Sequence, residues 1–456
     1  MQNLADHTGV GNGREQVPPR ARGPGDGGAD PAALRNDPHG LRGTETPDHQ
    51  FNRNRNFSSP SGSRGRSGPS PKAGAAWPSD IRLCTKGALA PSSSGVGLRN
   101  GVVLKGDREK PSGPIEFRQA LVTGAGGCIG QSLVKRLVEE RCHVNALDLN
   151  PTGLQQLARS VPQGAVQLIQ GDLNDEAVVR RAAEGVEAVF HTAAKVHSIP
   201  RNPAEEAEFF RINVEGTETL LRACQASPLR AFVFFSTIAV YGTGDGSPFT
   251  EATPLRPENA YAKSKVEAER KVMEFCRQDG MRPTVIRMSL VYGEGERGNF
   301  IRMLRGVESG RFLLLGNGET KKSMVYVGDV VEAALLAACN RTAWGQTFVL
   351  SDPSPYPLRQ VVETLARHLG VRPPRLRLPV PLVRVGGQIL GGVGRVFKFR
   401  PPFTAADVDK LLTHTICDVS KIQSTLGYQP RFGLEEGITR TVRWHREEQI
   451  SRKEGR

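Results

Sequence analysis

The 456-residue chain carries 61 Lys+Arg against 47 Asp+Glu, but its formal charge of +14 is unevenly placed: residues 1–115 hold 16 basic against 10 acidic, 116–370 hold 29 of each, and 371–456 hold 16 against 8. A nucleic-acid binder concentrates positive charge and stacking aromatics on one folded face, so the balanced middle of the chain argues against that class. The seven cysteines are odd in number and widely spaced, without paired metal-ligand spacing, and no apolar run reaches the ~18 residues of a spanning helix. Reduced thiols, no metal and a soluble, cytoplasmic protein are the expectation.

Residues 1–115 are crowded with Gly, Pro, Ser, Arg and Asn, as in Phe57-Ser58-Ser59-Pro60-Ser61-Gly62-Ser63-Arg64. They offer too little apolar surface to offset ordering entropy, so a disordered extension is expected, either a tethering arm or dispensable. Order begins near Phe117. Gln119–Thr123 is a short apolar run ending at a glycine cluster, and Gln131–Glu140 places apolar residues at helical spacing. His143–Asp148, Val166–Gln170 and Val186–His191 read as the next strands, with helical stretches between. A fifth strand, Ala231–Phe235, and a sixth, Pro283–Arg287, flank a long polar-faced helix from Tyr261 to Gln278. This β-α-β alternation predicts an α/β fold, a Rossmann-type doubly wound parallel sheet over 116–292. A smaller C-terminal substrate lobe is expected over 293–450, closed by a final helix around Leu434–Glu448.

Gly124, Gly127 and Gly130 follow the first strand and open a helix. That context turns a common glycine pattern into a dinucleotide-binding turn, where backbone must bend tightly and approach a pyrophosphate. Asp148 ends the second strand 18 residues after Gly130, placed to accept hydrogen bonds from adenosine ribose hydroxyls. No Lys or Arg stands at 149–151 to neutralise a 2′-phosphate, so NAD is expected rather than NADP. A surface aspartate that simply ends a strand is the alternative. Asp172 and Leu173, after the third strand, are expected to border the adenine.

Tyr261 and Lys265 stand one helical turn apart and so share a face. The bare spacing is common on solvated helices, but its position after the fifth strand of a glycine-turn domain gives it chemistry. A phenol with an ordinary pKa near ~10 needs a nearby ammonium to favour phenolate, and Lys265 is also expected to hold the nicotinamide ribose. Ser236 and Thr237 end the fifth strand. Thr237 is the better partner for a substrate oxygen, while backbone hydrogen bonding suits Ser236 better and is open for both.

Together with Phe190–Ala194, Asn213-Val214-Glu215-Gly216-Thr217, Val240-Tyr241-Gly242 and Val291-Tyr292-Gly293, these residues resemble the extended short-chain dehydrogenase/reductase family in its NAD-dependent epimerase/dehydratase branch. The resemblance covers about Phe117 to Glu448. It implies a Thr237/Tyr261/Lys265 catalytic triad, a cofactor cleft lined by Gly124, Gly127, Cys128, Ile129, Gly130, Ala193 and Ala194, and a homodimer through the long helices after the fourth and fifth strands. Asn299–Met303, Gly316–Gly318 and Met324–Asp329 resemble the nucleotide-sugar 4-epimerases, with Lys322 where many members carry a diphosphate-binding arginine and Arg297 and Asn299 as helpers. Ile238 and Ala239 replace the acidic pair that follows the catalytic threonine in 4,6-dehydratases, so dehydration is not expected. Leu290 replaces the asparagine of many epimerases, which leaves a reductase or dehydrogenase of nucleotide sugars open.

The segment 378–400 suggests a second substrate class. Its apolar residues are bordered by Arg377, Arg384, Arg395, Lys398 and Arg400, and similar stretches occur in the 3β-hydroxysteroid dehydrogenase-like branch, whose substrates are lipid or sterol alcohols. Peripheral contact with an anionic membrane is one expectation for it. A lobe helix packed in the protein is the favoured one, because glycines weaken an amphipathic helix.

Overall fold

The computed structural model describes residues 116–454 apart from 197–199, 280–282, 375–376, 397–408 and 410–411. The disorder expected of 1–115, and the basic residues Lys398 and Arg400, fall outside the described residues.

Six strands appear where the apolar runs place them: β1 (Gln119–Thr123), β2 (His143–Asp148), β3 (Val166–Gln170), β4 (Ala188–His191), β5 (Ala231–Thr237) and β6 (Thr284–Met288). They alternate with α1 (Cys128–Glu139), α2 (Pro151–Ser160), α3 (Glu176–Ala183), α4 (Pro203–Phe210), α5 (Gly216–Cys224) and α6 (Ala260–Asp279). β7 (Leu290–Tyr292), β8 (Leu314–Leu315), β9 (Lys321–Lys322) and β10 (Met324–Tyr326) are short pieces of the lobe, and α7 (Asn299–Glu308) packs with them. Past the expected boundary at 292/293 the chain returns to the main sheet through α8 (Val327–Cys339) and β11 (Thr347–Leu350). β12 (Tyr356–Pro357), α9 (Leu358–Leu369), β13 (Arg377–Leu378), α10 (Val380–Val396), α11 (Ser420–Leu426) and α12 (Leu434–Glu454) complete the described elements.

The main sheet has seven parallel strands in the order β11-β6-β5-β4-β1-β2-β3. Both faces are buried except along the edge strand β3, where Gln167, Leu168 and Gln170 are exposed, so the inner strands read as nearly continuous apolar runs. Ala120 and Val122 of β1, Phe190 of β4 and Val233 and Phe235 of β5 face a core closed by α1, α2, α8 and α11. Leu121, Val189, Phe232 and Phe234 face the opposite core, under α3, α5 and α6. A third core joins Tyr292, Phe300 and Leu304 to Val361 and Leu365 of α9 and Leu434 and Ile438 of α12, which fixes the lobe beside the sheet. Strand order reverses at β1, between β4 and β2, and open α/β sheets bind ligands beyond the carboxyl ends of strands at such a switch point. The glycine turn leaves β1 there, Asp148 ends β2, and Ala193 and Ala194 follow β4.

Candidate active site

The first half of the site is backbone. Gly124 has φ +69°, and a Cβ on it would lie 2.7 Å from the Ala193 amide nitrogen. A Cβ on Gly130 would run into the Gly124 carbonyl oxygen and come within 2.7 Å of Ala125 Cα. The turn is thus pressed against its own backbone, as a cradle for a pyrophosphate must be, and α1 begins directly after it with first-turn amides that lack intrahelical acceptors. Gly130→Ala is expected to destabilise this turn and abolish retention of NAD, checked by calorimetric titration with NAD beside a melting curve of the same sample.

Asp148 is tethered at the lip. Its Oδ2 accepts from the Gly126 N–H at 2.8 Å and its Oδ1 from the Asn150 N–H at 2.7 Å, and each oxygen keeps a lone pair for a ribose hydroxyl. Burial raises the pKa of Asp172, but hydrogen bonds from the N–H groups of Asn174 and the Arg211 guanidinium, at 3.2 Å, outweigh it and leave the carboxyl below its ordinary value. Leu173 beside it is buried. The Cys128 thiol donates to the Glu294 carbonyl at 3.1 Å, and burial, then Glu296 and Glu294, push its pKa upward, so it stays protonated. Ile129 packs against the first and third cores, and Ala193 and Ala194 are half-buried.

The second half is built on β5 and α6. Thr237 ends β5, accepts from the Ala239 N–H at 3.1 Å, and its hydroxyl lies close enough to the Tyr261 phenol to pull its pKa down. Lys265 lies one turn along α6, only 2 % exposed, with Nζ 4.0 Å from the centre of the Phe234 ring. Burial pushes the Tyr261 phenol up to about 12, against a smaller downward pull from the Thr237 hydrogen bond. Burial also brings the Lys265 ammonium down to about 7, with Glu269 opposing it. The expected phenolate is therefore not the resting state: desolvation disfavours both charged forms, so the pair leans neutral until further positive charge arrives.

The two hydroxyls at the end of β5 have separate duties. Ser236 turns away from Tyr261 and donates to Glu269, which also receives a bidentate guanidinium from Arg287, with Nη2 at 2.7 Å from Oε2. Arg287 Nη1 in turn donates to the Tyr241 hydroxyl at 3.0 Å. This buried chain backs α6 one turn beyond Lys265. Its sequence signal was the i, i+4 spacing from Lys265 to Glu269, but nothing local pointed to Arg287 on β6.

Asn213 is a further residue without an assigned role at the sequence level. It sits in a π-helical turn, Arg211–Glu215, between α4 and α5, a geometry frequent at functional sites. Its Oδ1 accepts from the Lys195 N–H at 2.7 Å, and its Nδ2 donates to Ser264 Oγ at 2.9 Å. Ser264 donates to the Tyr261 carbonyl at 2.8 Å. One amide thus joins the segment after β4 to the helix that carries Tyr261 and Lys265.

His191, the last residue of β4, is 1 % exposed and held at both ring nitrogens, by Thr123 Oγ1 at 2.7 Å and Thr217 Oγ1 at 2.8 Å. The single Thr217 hydroxyl proton goes to the Asn213 carbonyl, so His191 Nε2 donates and Nδ1 accepts from Thr123. Burial, with the Lys265 charge added, lowers its pKa to about 3. The unfolded chain takes up a proton near pH 6.5 that the folded one refuses until about 3. Stability therefore falls as pH drops through that window, by on the order of 4–5 kcal/mol at its lower end. Urea unfolding across this range should show the slope, and His191→Asn should flatten it.

The candidate substrate residues are not gathered in the same way. Arg297 is exposed and donates to Gln156 of α2 at 3.2 Å, and Asn299 is exposed and accepts from Arg302. Lys322 donates from Nζ to the Thr413 carbonyl at 2.9 Å, and burial lowers its pKa. Each is tied to a different neighbour, whereas Thr237, Tyr261 and Lys265 adjoin. A cavity of about 280 Å³ between α1 and α12, lined by Lys135, Glu294, Arg443 and Trp444 among others, contains none of those three.

A glycine turn at the switch point and a hydroxyl–phenol–amine set on β5 and α6 are the parts that a nicotinamide-dependent oxidoreductase requires. Residues 120–350 match the family model described as NAD dependent epimerase/dehydratase family, and the chain belongs to that family. It is an NAD-dependent enzyme of the extended short-chain dehydrogenase/reductase type. It is 28 % identical over 326 residues, 71 % of this chain and 94 % of the relative, to N-acetyl-alpha-D-glucosaminyl-diphospho-ditrans,octacis-undecaprenol 4-epimerase of Escherichia coli O157:H7. It is likewise 28 % identical over 349 residues, 72 % of this chain and 91 % of the relative, to 3 beta-hydroxysteroid dehydrogenase/Delta 5-->4-isomerase of Mycobacterium tuberculosis. Among solved structures, the UDP-glucose 4-epimerase of Thermus thermophilus in complex with NAD has a TM-score of 0.57 at 26 % identity, covering 72 % of this chain and 99 % of that one.

Proposed function

We propose that this enzyme oxidises and re-reduces a secondary hydroxyl on a nucleotide-linked sugar, as a 4-epimerase or ketoreductase and not as a 4,6-dehydratase. The observation that carries the reading is the Tyr261 phenol next to the Thr237 hydroxyl and one helical turn from buried Lys265, together with a glycine turn pressed against its own backbone. NAD, when bound, accepts and returns the hydride, and its positive nicotinamide ring favours the phenolate form of the tyrosine. Thr237 orients the substrate oxygen, Tyr261 takes its proton and later gives it back, and Lys265 holds the nicotinamide ribose. Gly124, Gly127, Cys128, Ile129 and Gly130 supply the pyrophosphate turn, Asp148 the ribose contact, Asp172 and Leu173 the adenine edge, and Ala193 and Ala194 the cleft wall. Ile238 and Ala239 bring no acid or base to the position where dehydration needs one. Arg297, Asn299 and Lys322 are the proposed substrate contacts, and a cytoplasmic homodimer through α5 and α6 belongs to the same reading. Incubation with UDP-hexoses should yield the C4 epimer or NADH, and no turnover of any nucleotide sugar would refute it.

A lipid or sterol alcohol is the second reading. Its support is the apolar α10 and the two relatives whose names carry a steroid and an undecaprenol-linked sugar. Turnover of a sterol or a polyprenyl-diphosphate sugar, with UDP-hexoses inert, would select it.

A further inference from the structure

We propose that α10 is a docking helix that lays its Leu382–Val385–Ile389 face into the surface of an anionic lipid bilayer. The favoured expectation for this segment was a helix packed within the lobe, and the structure departs from it. The start of α10 packs on the lobe, where Val380 sits against Gly316. Leu382, Val385 and Ile389 are 69 %, 51 % and 61 % exposed. At about 100° per residue they fall within about 60° of one another. Gly386 lies on the same face and a Cβ there would meet nothing. The other large apolar side chains of comparable exposure among the described residues, such as Leu149, Leu168 and Leu313, are scattered singly along the chain. Contiguous exposed apolar surface on one helix calls for a partner, and scattered single residues do not.

Charge selects the partner. Between Glu363 and Asp407 the sequence contains no acidic residue and eight basic ones. Arg372 and Arg377, just before α10, are exposed, while Arg384 on its opposite side is paired with Asp409 at 2.6 Å. An exposed apolar face in a segment whose sequence carries only positive charge fits anionic headgroups over acyl chains, whereas a second copy would bring the same positive charge against itself. Five glycines within Val380–Val396 make the helix weak in water, each costing helix propensity relative to alanine. Among the described residues no helix is long and apolar enough to cross a membrane. The helix therefore lies on the bilayer and does not span it. The proposal goes beyond the catalytic reading and holds for either substrate class.

Full-length protein is floated with vesicles of phosphatidylcholine alone and of phosphatidylcholine mixed with phosphatidylglycerol. We expect flotation with the mixed vesicles, weakened by added salt, and about tenfold or greater loss of the bound fraction in Leu382→Ser/Val385→Ser/Ile389→Ser with NAD binding unchanged. Ile389→Trp supplies a readout should the triple variant misfold. Its added fluorescence should be quenched by brominated acyl chains. The proposal is overturned if wild type stays with the soluble fraction, if the well-folded triple variant floats equally, or if the added tryptophan is untouched by brominated lipid. It is also overturned if the triple substitution splits a dimer without altering flotation, because the face would then belong to a second copy.

Discussion

Tyr261→Phe is expected to lower turnover by about 10²–10⁴-fold while leaving NAD affinity within a few-fold of wild type. The substitution removes one oxygen. The ring of a half-buried side chain stays in place, Lys265 keeps its seat over Phe234, and the glycine cradle is untouched. What disappears is the proposed proton-exchanging group beside Thr237. Steady-state rates beside titration of NAD separate the two effects. Equal loss of NAD affinity and turnover would mean that the phenol is part of the cofactor site instead.

Removing Glu269 should produce the largest change in stability. Glu269→Ala leaves the Arg287 guanidinium buried without a counter-charge and Ser236 without its acceptor, and breaking a buried pair on one side costs about 3–5 kcal/mol. Burial opposes the charge on Arg287, and Glu269 more than compensates, holding its pKa above the ordinary value. Replacing both partners, as in Glu269→Ala/Arg287→Met, should recover much of the loss in chemical denaturation. Glu269 also raises the pKa of Lys265, so in its absence the ammonium should titrate below about 7. The pH limb of turnover governed by Lys265 should then move to lower pH, a shift that a purely structural role for Glu269 would not produce.

The legible parts of this fold are those written in short range. β1, β2 and β4 to β6 are apolar runs buried on both faces, the edge strand β3 is buried mainly at Ile169, and α6 is a long polar-faced helix whose bounds differ from expectation by one residue at each end. β11 was not legible: Thr347–Leu350 is a four-residue run that joins the sheet edge beside β6 after an excursion through the lobe, and no local pattern records that return. The site divides along the same line. Gly124–Gly130, Asp148 and the Tyr261/Lys265 spacing are local constellations, each readable from a few neighbouring residues. The Glu269–Arg287 pair joins a helix to a neighbouring strand, and the tie between Lys322 and Thr413 spans most of the lobe. Such contacts are set by packing and leave no periodic trace. The neutral lean of Tyr261 and Lys265 was also hidden, because the sequence shows which charges are near but not how far packing desolvates each group. Ser236 and Thr237 differ by one position in a strand, which sends their side chains to opposite faces.

A crystal structure of the NAD complex tests the central claim most directly. The pyrophosphate is expected on the backbone amides of 127–130, the adenosine ribose on Asp148, and the nicotinamide ribose within hydrogen-bond reach of Lys265 Nζ, with the ring beside Tyr261. A nicotinamide ring turned away from Tyr261, or a dinucleotide bound outside the glycine turn, would contradict it.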